Sequence, residues 1–185
     1  MISVANNRKL LIYDRVFFSF MVKYYSGVDY MKVETGYLYH IKDEFFEKIN
    51  NKGLMINHEN GHSRPSYLAI KDNDILWFIP LSTKISKYDK IIQDKKKKYG
   101  VCKTILIKTI AGRKEAILIQ NAFPTLKKYI QSRHTIDGNF IKVSSAVQRE
   151  IISNLEYMLS LKNNGLNLFF TDIDYIKDLI SKELE

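Results

Sequence analysis

From residue 36 onward, apolar and polar positions fall into short alternating runs punctuated by turn residues, as expected of a small α+β unit. Gly36-Tyr37-Leu38-Tyr39-His40-Ile41 alternates as a strand, and Asp43 is placed to cap a helix over 43–51 with Phe45, Phe46 and Ile49 on one side. A loop through Gly53 and Gly61 leads to strands at 66–71 and 74–81, with Lys71-Asp72-Asn73-Asp74 as their hairpin turn. The connection over 84–100 reads as partly helical. Strands at 103–110 and 114–119 then flank a turn at Ala111-Gly112-Arg113, Pro124 opens a short helical turn, and 129–143 carries no regular pattern. Two helices close the chain. Ser145 with Gln148 forms a capping box ahead of Val147, Ile151, Ile152, Leu155, Met158 and Leu159, and Gly165 ends that helix. Thr171 with Asp174 caps the last one, which bears Ile173, Ile176, Leu179 and Ile180. Apolar stripes of this kind are core.

Residues 1–30 read differently, with apolar clusters and no clear turn signals. Ser26-Gly27-Val28 can be encoded as TCA-GGA-GTN, which contains the ribosome-binding sequence AGGAG a short distance before Met31. The expectation is that translation starts at Met31, that 1–30 is upstream or poorly packed sequence, and that 31–185 is a single domain.

Composition narrows the class. A chain of 185 residues suffices for one well-buried core. Nothing approaches the roughly 18 apolar residues of a membrane span or resembles a cleavable signal, so a cytoplasmic protein is expected. The single cysteine, Cys102, excludes an internal disulfide or a multi-cysteine zinc site. Net charge is +9, and it remains basic at +7 if 1–30 is left out. Its placement matters more: residues 84–103 hold eight lysines against two aspartates, whereas 172–185 holds five acids against two lysines. A charge run alone is usually a solvated face. This one lies between two strings of polar residues at strand ends, which turns attention to a polyanion.

Three strings could carry chemistry: His62-Ser63-Arg64-Pro65, then Trp77-Phe78-Ile79-Pro80-Leu81-Ser82-Thr83-Lys84, then Ile119-Gln120-Asn121-Ala122-Phe123-Pro124. RNA can be cut without a metal because its own 2′-hydroxyl is the nucleophile. The protein must align that hydroxyl, help remove its proton, stabilise the charge on phosphorus and protonate the leaving 5′-oxygen. Hydroxyls, lysines and arginines cover most of those duties, and no metal-ligand spacing or phosphate-binding glycine loop competes. Taken singly each string has a plain reading. Ser82 and Thr83 can simply end a strand, Arg64 and Lys84 can be solvated, and His62, His40 and His134 can be loop histidines. Asn121 can satisfy backbone groups.

In this order the strings resemble the ToxN/AbiQ/CptN toxins of type III toxin–antitoxin systems, closest to the CptN branch, from about Met31 to the end. The carrying residues are Tyr37 to Ile41, Gly61 to Pro65, Trp77 to Lys84, Lys98-Tyr99-Gly100, Leu118 to Pro124, Lys162 to Gly165 and Asp172 to Ile176. The resemblance implies a compact antiparallel small β-barrel of PemK/MazF type decorated with helices. It implies a metal-independent endoribonuclease of phage defence that needs no cofactor and leaves 2′,3′-cyclic phosphate and 5′-hydroxyl ends. Its partners would be cellular mRNA as substrate and a repetitive, folded RNA antitoxin that it trims and that inhibits it in a closed protein–RNA assembly. Carried over by position, Ser82 and Thr83 would orient the scissile phosphate, with Lys84 or Lys87 and Arg64 stabilising charge. His62 and Tyr67 are candidates for proton transfer. Lys87, Lys90, Lys95, Lys96, Lys97 and Lys98 would track the RNA backbone. Tyr39, Tyr88 and Phe123 would stack on bases, and Gln120 and Asn121 would wall the site.

Two other readings fit the same residues. One is an RNA-binding module that does not cleave; the other is a small-barrel toxin that blocks a protein target such as gyrase. The second needs no lysine cluster beside a Ser-Thr-Lys string.

Overall fold

One strand organises the fold. Ile75–Ser82 is buried at every position from Leu76 onward, on both faces, which a strand sustains only in the middle of a sheet. In this computed structural model residues 31–50, 53–59 and 61–184 are described. The expectation for 1–30 and the last residue of the expected 43–51 helix lie outside them, and that helix ends at Ile49 with Asn50 as its C-cap.

In chain order the elements are β1 (Leu38–Ile41), α1 (Asp43–Ile49), β2 (His58–Glu59), β3 (His62–Ser63), β4 (Ser66–Asp72) and β5 (Ile75–Ser82). Then come α2 (Ile85–Tyr99), β6 (Leu106–Ile110), β7 (Arg113–Ile117), a 3₁₀ turn at Ile119–Asn121, β8 (Phe123–Leu126), a second such turn at Lys127–Tyr129, and β9 (Ile130–Arg133). A small hairpin of β10 (Thr135–Ile136) and β11 (Asn139–Phe140) precedes α3 (Ser145–Asn163) and α4 (Ile173–Ser181). The class is α+β, with an antiparallel sheet and two C-terminal helices.

The main sheet runs β6-β7-β5-β4-β1-β9, with β8 also on β5. β4 lies along one edge of β5 from Ser66↔Pro80 to Asp72↔Ile75. The other edge changes partner: β8 takes Ile75 to Phe78, and β7 takes Leu81 and Ser82. Pro80 sits in that change-over, where its missing N–H breaks no ladder bond to either strand. The end strands β6 and β9 do not pair, so the sheet is not a closed barrel. β8 takes half of β5 and splits the sheet before it can close.

Several local expectations shift. Lys42, not Asp43, is the N-cap of α1, and the Asp43 carboxylate instead accepts from Asn57 Nδ2 at 2.8 Å and pairs with His58 Nε2 at 2.6 Å. The 145–148 capping box does not form: Ser144 holds the N-cap position and Gln148 Nε2 donates to the Val143 carbonyl at 2.6 Å. α4 is capped one residue late, by Asp172 accepting from the Tyr175 amide at 3.2 Å. Pro124 lies in β8 rather than in a helical turn, and the stretch read as irregular contains β9. The lysine connection is one continuous helix of 15 residues, closed by Gly100 in the left-handed region (φ 77°) with its amide on Lys96 O.

The main core joins Trp77, Ile79 and Leu81 of β5 to Ile151, Leu155 and Met158 of α3 and to Ile173 of α4. Tyr88 and Ile92 of α2 bury against Ile105, Ala116 and Leu118. Phe45 of α1 stacks on Phe123, which stacks in turn on Phe78. Among the described residues no helix is long and apolar enough to cross a membrane.

Candidate active site

The unpaired ends of the sheet face a common space. A cleft of about 780 Å³ is lined by Ile110, Ala111, Arg113 and Glu115 from β6 and β7, and by Ser132, Arg133 and His134 from β9 and the residue after it. His62 and Ser63 of β3, His40 of β1 and Thr83 just past β5 line it as well. The cleft thus brings together residues of the end strands β6 and β9 with residues of β1 and β5.

The Ser-Thr-Lys string divides its duties at this edge. Ser82 is only 4% exposed, its backbone pairs with Ala116, and its hydroxyl accepts from the Lys84 amide at 3.3 Å. It shapes the turn out of β5. Thr83 is exposed and lines the cleft, so it is the hydroxyl presented to a ligand. Lys84 is exposed at the N-cap of α2. Arg64 arrives from the chain entering the neighbouring strand β4: its Nη1 donates to the Leu81 carbonyl at 2.7 Å and its Nε to Ile56 O at 3.2 Å. A guanidinium is thereby tied to the strand end that carries Ser82 and Thr83.

The other sequence candidates scatter. Lys87, Lys90, Lys96, Lys97 and Lys98 are exposed along α2, consistent with a polyanion track. Lys95 points elsewhere, donating to Thr104 Oγ1 at 2.7 Å and Gln120 Oε1 at 2.8 Å. Gln120 and Asn121 are buried in the 3₁₀ turn and do not line the cleft. Tyr39, Tyr67, Tyr88 and Phe123 are buried as well, and this corrects their expected contact with RNA: none offers a ring face to a base. Tyr39 Oη bonds to Glu34 O at 2.9 Å, and Phe123 belongs to the aromatic core. Tyr67 has no hydrogen-bond partner for its hydroxyl, and burial pushes its pKa up to about 12, far from proton exchange at neutral pH.

Two histidines read from the sequence as plain loop residues, His40 and His134, line the cleft beside Ser63. Ser63 Oγ lies 2.7 Å from His40 Nδ1, and His40 Nε2 lies 2.8 Å from His134 Nδ1. Burial holds the His40 imidazole below its ordinary pKa of 6.5, and the neighbouring His134 lowers it further. Burial lowers His134 likewise. Glu115, half-buried on β7, is raised above the usual carboxylate value by desolvation, against the pull of Arg113. Arg133 is packed over the Tyr37 ring at 4.4 Å and Phe140 at 4.7 Å, with Glu34 Oε2 3.3 Å from its Nη2. The alternation of 36–41 places His40 on a strand, but its partner lies 94 residues away and no local pattern announces it. Among the described residues no group of three or more His, Cys, Asp or Glu side chains is arranged to hold a metal ion.

Hydroxyl, imidazole and guanidinium groups in an open cleft beside a lysine-lined helix can grip an extended phosphodiester and move protons around it. No family model matches the sequence, and no curated protein matches it either. Solved structures do match in three dimensions. One is AbiQ, a lactococcal anti-phage endoribonuclease belonging to the type III toxin–antitoxin system, with a TM-score of 0.62 and 16% identity, covering 80% of this chain and 99% of that one. The chain therefore has the fold of AbiQ.

Proposed function

We propose that this protein is the toxin of a type III toxin–antitoxin system, a metal-independent endoribonuclease of phage defence acting in the cytoplasm, with residues 31–185 as its catalytic domain. It cleaves cellular mRNA and its own repetitive RNA by internal transesterification, leaving 2′,3′-cyclic phosphate and 5′-hydroxyl ends. The folded RNA repeat then inhibits it by occupying the basic cleft in a closed protein–RNA assembly. The reading draws on the AbiQ fold. One observation carries the chemistry: the Arg64 guanidinium is bonded to Leu81 O, two residues before the exposed Thr83 hydroxyl.

In this mechanism Thr83 holds a non-bridging phosphate oxygen and aligns the 2′-hydroxyl with phosphorus. Ser82 positions Thr83 through its hold on the turn. Arg64, with Lys84 or Lys87, stabilises the charge that grows on the phosphorane. His62 contributes a further cleft-side donor, and the exposed lysines of α2 carry the strand to and from the site.

Expression in a bacterial host provides the test. The wild-type protein is expected to arrest growth, a co-expressed RNA of short tandem repeats taken from just upstream of the gene to relieve the arrest, and Thr83→Ala or Lys84→Ala to abolish it. Arrest that persists in both variants removes the proposed site.

A further inference from the structure

Three side chains that the mechanism above leaves unused stand in one hydrogen-bonded line along the cleft. We propose that Ser63, His40 and His134 form a proton relay, accepting the proton of the attacking 2′-hydroxyl at Ser63 and delivering a proton to the departing 5′-oxygen from His134. The inference rests on the nuclease reading and adds the groups that do its acid–base work.

The geometry leaves few arrangements. The contacts are Ser63 Oγ to His40 Nδ1 at 2.7 Å and His40 Nε2 to His134 Nδ1 at 2.8 Å. Each contact must contain one proton, and a neutral imidazole carries one proton on one nitrogen only. The chain therefore has two neutral forms. In the first, Ser63 donates to His40, His40 Nε2–H donates to His134 Nδ1, and His134 carries its proton on Nε2. In the second every bond is reversed, and the Ser63 hydroxyl proton points away from His40.

Passing from the first form to the second takes up one proton at Ser63 Oγ and releases one from His134 Nε2. That exchange balances the reaction: the O2′–P bond forms as the 2′-proton enters, and the P–O5′ bond breaks as O5′ receives the proton that leaves. No imidazolium accumulates, and no co-reactant is needed. Exchange with water at both ends restores the first form.

The direction assigned to the relay follows the placement of its two ends. Ser63 directly precedes Arg64, whose guanidinium is bonded to Leu81 O beside the Thr83 string, so the serine end lies toward the nucleophile. His134 follows β9, the end strand beyond β1, and forms the other end of the line. Burial favours the neutral form of both rings, which the relay requires at pH 7. The other titratable groups of the cleft are His62 on β3, Arg113 and Glu115 on β7, Arg133 on β9 and Asp137 at the β10–β11 turn.

The test is single-turnover cleavage of a mixed-sequence RNA transcript across pH 5–9 by wild type, Ser63→Ala, Ser63→Thr, His40→Gln and His134→Gln, with RNA affinity and melting temperature measured in parallel. Ser63→Ala and both glutamine variants are expected to lose about 10²- to 10³-fold in rate with RNA affinity unchanged. Ser63→Thr, which keeps the hydroxyl, is expected to retain most of it. The wild-type rate should fall on the acid side as an imidazole protonates, because a doubly protonated ring donates at both nitrogens and blocks the line; His134→Gln should lose that limb. Should wild type cleave while folded Ser63→Ala and His134→Gln match it in rate and pH profile, the relay is wrong and the nuclease reading survives. A wild type that leaves RNA intact overturns both.

Discussion

The Arg64 guanidinium donates through Nη1 to the carbonyl oxygen of Leu81 at 2.7 Å, joining the chain entering β4 to the end of β5. A charge-assisted bond of this kind does two jobs. It holds the end of β5 that leads to the exposed Thr83, and it fixes a cation beside the proposed phosphate site. Arg64→Ala is expected to cost about 1.5–3 kcal/mol of stability and most of the cleavage rate. Arg64→Lys restores the charge but not the fork that also reaches Ile56 O, so it should recover binding better than stability. Thermal melts and RNA affinity of the two variants separate these effects.

The lysines of α2 fall into two kinds that one experiment distinguishes. Lys90 and Lys97 are exposed, whereas Lys95 is spent on Thr104 and Gln120. Removing an exposed lysine that contacts RNA should lower the slope of log affinity against log salt by about 0.7. Lys95→Met should leave that slope alone and destabilise the fold by on the order of 2 kcal/mol, since Gln120 is buried and loses its partner. Salt titrations of Lys90→Ala, Lys97→Ala and Lys95→Met check the division.

Glu183 near the C-terminus is expected to make stability acid-sensitive. Burial alone would raise its pKa, but hydrogen bonds from Lys128, Lys48 and Tyr129 outweigh that and hold it at about 2, below the ordinary 4.5. The unfolded chain therefore binds a proton at higher pH than the native one. The stabilisation is complete above about pH 4.5 and is lost as pH falls toward 2. Glu183→Gln should lower the urea midpoint at pH 7 and bring the two proteins together as the solution is acidified. An equal gap at both extremes would contradict this.

How much of this was legible in the sequence depends on the range of the signal. The β4–β5 hairpin reads directly because its turn, with Asn73 at φ 51°, and its apolar runs are neighbours in the chain. Helix ends are readable to within about two residues, the first helix stopping at Ile49 rather than 51, and two cap errors have a common cause: Asp43 and Gln148 found tertiary or backbone partners more favourable than the caps expected of them. β9 was missed because Ile130-Gln131-Ser132-Arg133 has no apolar alternation. It is a strand by virtue of pairing with β1, far away in the chain. Phe123 and Tyr39 were assigned to RNA because aromatics near polar strings look available, and only packing reveals that Phe45 and Phe78 already cover Phe123. His40 and His134 could not be found locally at all, since each is ordinary until the sheet brings them together.

The central proposal is that the open side of the sheet grips and cuts a ribose–phosphate linkage. Incubating purified protein with RNA in excess chelator, and analysing the new ends, tests this most directly. Wild type is predicted to yield fragments with 2′,3′-cyclic phosphate and 5′-hydroxyl ends, and Thr83→Ala to bind the same RNA while cutting it at least about 10²-fold more slowly. RNA that is bound tightly but stays intact, or cleavage undiminished in Thr83→Ala, would contradict it.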